Sequence, residues 1–291
     1  MFKHLSLYRI TGDARPAAER LQVLAFVPCG KSQPQSVGFV PPRDEHGALM
    51  EVVHGQLIFG VMFESRSVPG DALNKEVDRL AAEVEQQTGR KPGRKFRKEL
   101  KEQALATLLP NAFSKFARVP VWIEPSTGLL AIGSTTSAKT DAIVTLLVHM
   151  LSEQSKVAHV TTATSPAGAM TAWLNQGEAV GELMVGRHAE LQSLDELKSK
   201  VTHKNRVLDS DEVKEEIAKG LVAKKLALVD GATSYTLTDA LQLRSLDFGD
   251  AVPPENSEDA FDATVVLATS ELNRVINNLI SALGGEVKAE Q

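Results

Sequence analysis

The sequence is poor in cysteine and in aromatic residues: its 291 residues include one cysteine, Cys29, and only 5% aromatic side chains. A single cysteine excludes an internal disulfide and any zinc or iron–sulfur site built on several cysteines. No apolar run reaches the roughly eighteen residues that cross a bilayer, and the first ten residues lack the long apolar segment of a signal peptide. We therefore expect a cytoplasmic protein with no membrane partner.

The common catalytic and cofactor motifs are also missing. No two of the seven histidines are three to five residues apart, so the sequence has no helical metal-ligand pair. It contains no GxSxG, HExxH or GxGxxG motif. Cys29 has no activating base nearby in the sequence and is typical of a small buried residue. We predict a protein that is not an enzyme, without catalytic residues, metal or cofactor.

An overall basic charge, the usual sign of a nucleic-acid binder, is absent because the net charge is −5. The charges are nevertheless unevenly distributed. Residues 90–101 hold one acid, Glu99, and seven bases, while the last 65 residues hold eleven acids and three bases. The seven bases are Arg90, Lys91, Arg94, Lys95, Arg97, Lys98 and Lys101.

Hydrophobic periodicity predicts an α+β fold with antiparallel sheets and amphipathic helices. The first seventy residues favour short strands within LSLYRI, VLAFV and QLIFGVMF, whereas the spacing from Gly70 predicts a helix ending near Thr88. A second helix should follow and end by Pro110. We predict four parts: a sheet-rich part at 1–70, a basic helical tip at 71–118, a central α/β part at 119–190 and a C-terminal α+β base at 191–291.

Turn and capping signals predict further elements in the second half. Two strands should flank the Pro-Ser-Thr-Gly turn at 125–128, and a helix should follow from residue 137. Ser193 and Glu196 match a capping box, which predicts a short helix there, and a second helix should end near Gly220. A hairpin is expected at Asp230-Gly231, and a C-terminal helix should end at residues 284–285.

The basic segment needs an explanation because like charges repel, and cations in the first turn of a helix oppose its dipole. Arg94, Arg97, Lys98 and Lys101 fall on one arc of the predicted helix, beside an apolar arc that contains Phe96 and Leu100. The helix can therefore pack through these two residues and present its cations outward. DNA phosphate is the obvious counterpart, whereas the scarcity of aromatic residues argues against stacking on single strands.

Residues downstream extend this candidate interface. Phe113 and Phe116 lie close to Lys115 and Arg118, and each ring is either buried in a core or exposed as an anchor for a partner. A further basic group follows His203 and comprises Lys204, Arg206, Lys224 and Lys225.

Residues 133–140, GSTTSAKT, nearly match the phosphate-binding loop GxxxxGK[ST], but Ala138 stands where the second glycine is needed. One alternative is thus a nucleotide-binding enzyme that uses this loop. The other interpretation of the loop is a polar turn before a helix capped by serine or threonine. A protein-binding scaffold, whose basic helix contacts an acidic partner, is a second alternative function.

Several segments taken together resemble the RdgC family of recombination-associated proteins. They are YRI at 8–10, FVPCG at 26–30, GFVPP at 38–42, LLPNAFSKF at 108–116, TAWL at 171–174 and FDATVVLATSELNRVINNLISALGGE at 261–286. Their order and spacing agree over essentially the whole chain. The combination of LLPxAFSxF with the C-terminal Leu-Gly-Gly-Glu is specific, although each short segment alone is weak.

The resemblance implies a non-catalytic, nucleoid-associated protein that forms a ring-shaped homodimer around double-stranded DNA. It also implies binding without sequence preference, and restraint of the RecA recombinase through the DNA that both occupy. Phe113 matches the aromatic residue at the dimer contact, Arg90 and Lys91 match basic residues of the central hole, and Arg66 matches another basic position. Around 204–206 the match is looser, because the family carries consecutive lysines there.

Overall fold

The computed structural model describes residues 2–44, 46–252 and 260–287. Within them the chain forms twelve strands, β1 to β12, and seven α-helices, α1 to α7. The strands are His4–Thr11, Gln35–Val40, Met50–Val53, Gln56–Arg66, Ser114–Glu124, Leu129–Ile132, Lys156–His159, Leu183–Ser193, Lys200–Lys204, Leu221–Asp230, Thr233–Thr238 and Gln242–Asp247. The helices are Ala18–Val23, Gly70–Thr88, Arg94–Leu108, Ser137–Met150, Pro166–Gln176, Asp211–Ala218 and Phe261–Ala282. The predicted α+β class is confirmed.

All twelve strands join one antiparallel sheet in the order β2-β4-β5-β6-β1-β12-β11-β10-β8-β9, with β3 also paired to β4 and β7 to β1. Its longest ladder joins β4 to β5, from Leu57 opposite Ile123 to Arg66 opposite Ser114. The helices α2 and α3 are inserted at the Arg66 end of this ladder. The part boundaries predicted after residues 118 and 190 lie inside β5 and β8, so one sheet passes through both.

The sheet is covered on both faces, as the alternation along β1 illustrates. Leu5 and Leu7 enter one core together with residues of α5 and α7, whereas Tyr8 and Ile10 enter a second core together with residues of α4. On the apolar face of α4, Ile143, Leu147 and Met150 are buried and Leu146 is partly buried. The C-terminal helix likewise buries the face that its periodicity predicts.

The helices α2 and α3 form an antiparallel pair, which we call the α2–α3 hairpin, with a small core of its own. Val77, Leu80 and Ala81 of α2 pack against Leu100 and Ala104 of α3. The main contacts of both helices are with each other, and α3 also contacts the 3-10 turn at 109–111. This hairpin therefore carries its residues away from the two cores of the sheet.

Two turns confirm the hairpin signals of the sequence. The turn between β5 and β6 ends at Gly128, whose φ of +71° and close approach to Ile10 leave no room for a Cβ atom, which would lie 2.3 Å from the Ile10 carbonyl oxygen. Asp230 pairs with Thr233 across the second turn, which joins β10 to β11.

Two local predictions are wrong. Residues 193–196 form no helix, because the Ser193 hydroxyl donates to Asp195 at 2.6 Å in the turn between β8 and β9. The same side-chain chemistry that caps helices also closes turns. The segment VLAFV forms no strand either: Val23 ends α1, and Ala25 makes a single bridge to Phe39. In the described part of the chain, no helix is long and apolar enough to cross a membrane.

Candidate nucleic-acid interface

The helix α3 presents the basic segment to solvent. It begins at Arg94 after Gly93, which provides no side-chain cap, and its first turn contains no acidic residue. The first turn therefore adds positive charge to the positive end of the helix dipole. We call the exposed residues Arg90, Lys91, Arg94, Lys95, Arg97, Lys98 and Lys101 the basic hairpin surface.

Most of this charge has no internal counterpart. Arg97 pairs with Asp78 of α2, and among the described residues the other six bases form no ion pair. A groove of about 460 Å³ runs between the two helices and is lined by Arg94, Arg97, Lys98 and Lys101, together with residues of α2. Helix α2 is different, because Arg79 is held between Glu76 and Glu83 on its own helix. The positive surface thus belongs to α3 and the turn before it.

Three phenylalanines at this end of the molecule are exposed. Phe113 is 90% exposed and Phe116 is 59% exposed, so burial, the first of the two sequence interpretations, is wrong for both rings. Phe96 is 42% exposed, which corrects its predicted packing role beside the buried Leu100. The hairpin has two helices, and the described residues leave the side of α3 where Phe96 lies open to solvent.

Two other predicted bases lie on β5 with different surroundings. Lys115 and Arg118 are both exposed, but strand alternation places them on opposite faces of β5. The Arg118 guanidinium donates to the carbonyl oxygen of Pro41. Lys115 forms no ion pair among the described residues.

Arg66 is part of an internal hydrogen-bond network. Its guanidinium donates to the carbonyl oxygens of Cys29 and Gly30, both at 3.1 Å. It also donates to the Ser114 hydroxyl at 3.4 Å and lies 3.8 Å from the buried Glu64 carboxylate. The Arg66 guanidinium therefore faces protein groups, and a contact of this residue with DNA stays a prediction.

The second basic group is largely neutralised and lies elsewhere in the sheet. Arg206 pairs with Glu212 at 2.5 Å, Lys224 with Asp239 at 2.8 Å and Lys225 with Glu190 at 2.7 Å. The Lys225 ammonium holds the pKa of the Glu190 carboxyl below its ordinary value. Four strands separate β10, which carries both lysines, from β5. Lys204 is exposed, whereas its neighbour His203 is buried and bonded to Glu216 at 2.7 Å.

The near match to a phosphate-binding loop has structural roles. A Cβ atom at Gly133 would lie 2.6 Å from the ring of Pro120, so this glycine permits the close approach of β5. The Lys139 ammonium lies 5.7 Å from the centre of the Phe63 ring, a cation–π distance. Thr136 occupies the N-cap position of α4 as the turn interpretation expects, but its hydroxyl makes no capping hydrogen bond.

Sequence reasoning missed Glu64, the buried carboxylate beneath the root of the hairpin. Its oxygens accept from the Cys29 N–H at 2.7 Å and from the Ser114 hydroxyl at 2.5 Å. These bonds hold the pKa of Glu64 below its ordinary value, with the Ser114 hydroxyl as the largest cause. No local pattern reveals this group, because its partners lie 35 and 50 residues away.

The described residues were also compared with the requirements of a metal site. Within residues 2–44, 46–252 and 260–287, no group of three or more His, Cys, Asp or Glu side chains could hold a metal ion. The positive surface of α3 is accordingly the candidate site that the described residues offer.

Comparison with known proteins agrees with the resemblance noted in the sequence. Residues 1–286 match the family described as "Putative exonuclease, RdgC". Proteins named "Recombination-associated protein RdgC" from Janthinobacterium sp. (strain Marseille) and Herminiimonas arsenicoxydans are 34% and 35% identical to this chain. The alignments cover 99% of both chains in the first case and 98% of both in the second. The chain therefore belongs to the RdgC family of recombination-associated proteins.

Proposed function

We propose that this protein binds double-stranded DNA without sequence preference through the basic hairpin surface. It would act as a ring-shaped homodimer in the nucleoid and restrain RecA-dependent recombination by occupying the DNA. The observation that carries the proposal is one continuous surface, formed by α3 and the turn before it, with six cations that have no ion-pair partner among the described residues. Such a surface is stabilised when phosphate oxygens approach it.

The chemistry of this surface suits the phosphate backbone and offers little for reading bases. Lysine and arginine contacts to phosphate supply affinity that is independent of sequence, whereas base readout needs side chains fitted to groove edges. Helix α3 carries cations around its first turn instead of a set of amide side chains. We therefore expect similar affinities for duplexes of different sequence.

The exposed rings support the dimer. Phe113 lies at the end of the hairpin connection and is almost fully exposed, which is unfavourable for a large apolar ring unless a partner covers it. A twofold axis at this residue would bring two identical surfaces together, and a ring requires one further interface of the same kind. Phe116, also exposed, would extend the contact.

The role in recombination rests on the family. The curated relatives are named for an association with recombination, and the resemblance implies restraint of RecA through shared DNA. The description of the family model also includes the word exonuclease, so degradation of DNA ends is the second candidate function. A DNA-binding protein leaves the duplex intact during incubation, whereas an exonuclease shortens it from its ends.

A titration of end-labelled duplexes tests the proposal. Three duplexes of equal length and different sequence, and the matching single strands, are titrated at low salt with and without Mg²⁺. We expect equal affinity for the three duplexes, weaker binding to single strands and full-length label after incubation. Loss of label from the ends in Mg²⁺ would support the exonuclease, and absence of binding at low salt would support a protein-binding scaffold. Saturable ATP binding would instead support the nucleotide site at 133–140.

A further inference from the structure

The root of the α2–α3 hairpin contains a polar network that the DNA surface does not use. The chain leaves the sheet at Arg66, the last residue of β4, and returns at Ser114, the first residue of β5. These two residues form the last pair of the β4–β5 ladder. Whatever fixes this pair also fixes the direction in which the hairpin leaves the sheet.

The Glu64 carboxylate, the Arg66 guanidinium and the Ser114 hydroxyl meet at that pair. The Glu64 carboxylate accepts from the Ser114 hydroxyl at 2.5 Å and from the Cys29 N–H at 2.7 Å. The Arg66 guanidinium donates to the same hydroxyl and to the carbonyl oxygens of Cys29, Gly30 and Lys31, the last at 3.4 Å. Both strands are thereby joined to the loop before β2.

The remaining contacts of the hairpin are few. Its two helices pack mainly on each other and on the 3-10 turn at 109–111. A planar guanidinium that spans three carbonyls and a hydroxyl is therefore, together with the Glu64 carboxylate, a polar restraint at its root. Phe113 directly precedes Ser114, so a change at the root also displaces this ring.

We propose that Arg66 is a positioning residue, which fixes the orientation of the α2–α3 hairpin and of Phe113 relative to the sheet. The purpose of that orientation rests on the proposed function, but the orientation itself does not. Lysine at this position keeps the charge and loses the planar fork, so it cannot bridge the same acceptors. A direct phosphate contact by Arg66, in contrast, would largely survive the change to lysine.

The test measures the orientation directly. Spin labels are placed at Ala106→Cys in α3 and Val148→Cys in α4, two exposed positions, while Cys29, which is buried and belongs to the network under test, is left unchanged. Excess unlabelled protein removes distances between protomers. We expect a narrow distance distribution for the parent and a broadened or shifted one for Arg66→Lys. An unchanged distribution would overturn the proposal.

Matched variants separate positioning from a general loss of stability. Arg79→Lys makes the same exchange on the exposed surface of α2 and should leave the distance unchanged. Ser114→Ala removes the hydroxyl shared by Glu64 and Arg66 while retaining the Arg66 charge, and it should also broaden the distribution. Should Arg66→Lys fail to fold, an unaltered distance in Arg66→Gln, which also loses the bonds to the three carbonyl oxygens, would still overturn the proposal.

Two further readouts distinguish failure of this inference from failure of the proposed function. The slope of DNA affinity against salt should be the same for Arg66→Gln and the parent, whereas a lost phosphate contact would lower it by about one. Arg66→Lys should weaken self-association, because Phe113 directly precedes Ser114 and is displaced together with the root. It should have no further effect on self-association when combined with Phe113→Ala. If Phe113→Ala alone leaves the dimer intact, the dimer contact is wrong, and the spin-label distances still decide the role of Arg66.

Discussion

Neutralising the basic hairpin surface should change the salt dependence of DNA binding more than any other property. The variant replaces four of its six bases that have no ion pair with alanine: Arg90, Lys91, Arg94 and Lys98. Each phosphate contact contributes roughly 0.9 to the slope of log affinity against log salt. Loss of four contacts lowers the slope by up to about 3.6 for each protomer on the duplex. Between 50 and 200 mM salt, the parent should then lose about 150-fold more affinity than the variant.

The assay is a set of fluorescence-anisotropy titrations on one duplex at five salt concentrations. The matched control replaces four exposed lysines outside the hairpin, Lys3, Lys156, Lys198 and Lys219, and so changes the net charge by the same amount. We expect the slope of the control to stay close to that of the parent. An unchanged slope in the hairpin variant, or an equal decrease in both variants, would refute the assignment of DNA binding to α3.

Three other changes test separate parts of the account. Phe113→Ala should raise the dissociation constant of the dimer in sedimentation equilibrium while Val23→Ala, a similarly exposed control in α1, does not; equal association of all three proteins would exclude Phe113 from the interface. Glu64 should contribute to stability above its ordinary pKa of 4.5, because hydrogen bonds lower its pKa in the folded state. The difference in denaturation midpoint between the parent and Glu64→Gln should therefore be full near pH 7 and narrow as the pH falls below 4.5, and a constant difference would contradict this linkage. Gly133→Ala should lower the free energy of unfolding by about 1–3 kcal/mol, because the added methyl group would overpack against Pro120. Stabilisation of the parent protein by ATP would contradict the structural role of the loop at 133–140.

Local periodicity predicted the helices well. The apolar spacing from Gly70 identified α2, which ends at Thr88 as predicted, and α7 ends at Ala282, two residues before the predicted end at 284–285. These features depend on residues within one or two turns, so a single sequence contains the whole signal. Ser193 shows the limit of this reasoning, because a short polar side chain closes a turn as readily as it caps a helix.

Features that depend on distant neighbours could not be predicted in the same way. The exposure of Phe113 depends on how many layers cover the hairpin, and the pairing of Lys225 with Glu190 depends on which strands are adjacent. Arg66 and Ser114 are 48 residues apart in the chain and adjacent in the ladder. The basic segment was recognisable because seven charges lie within twelve residues, whereas the network that holds its hairpin has no sequence signature.

Retention on closed-circular and linear duplex DNA tests the central claim most directly. The protein is bound to immobilised DNA of each form at low salt, and the salt is then raised in steps. A ring that encloses DNA predicts salt-resistant retention on circles and release from linear DNA through its free ends. Equal, salt-labile release from both forms would contradict the ring.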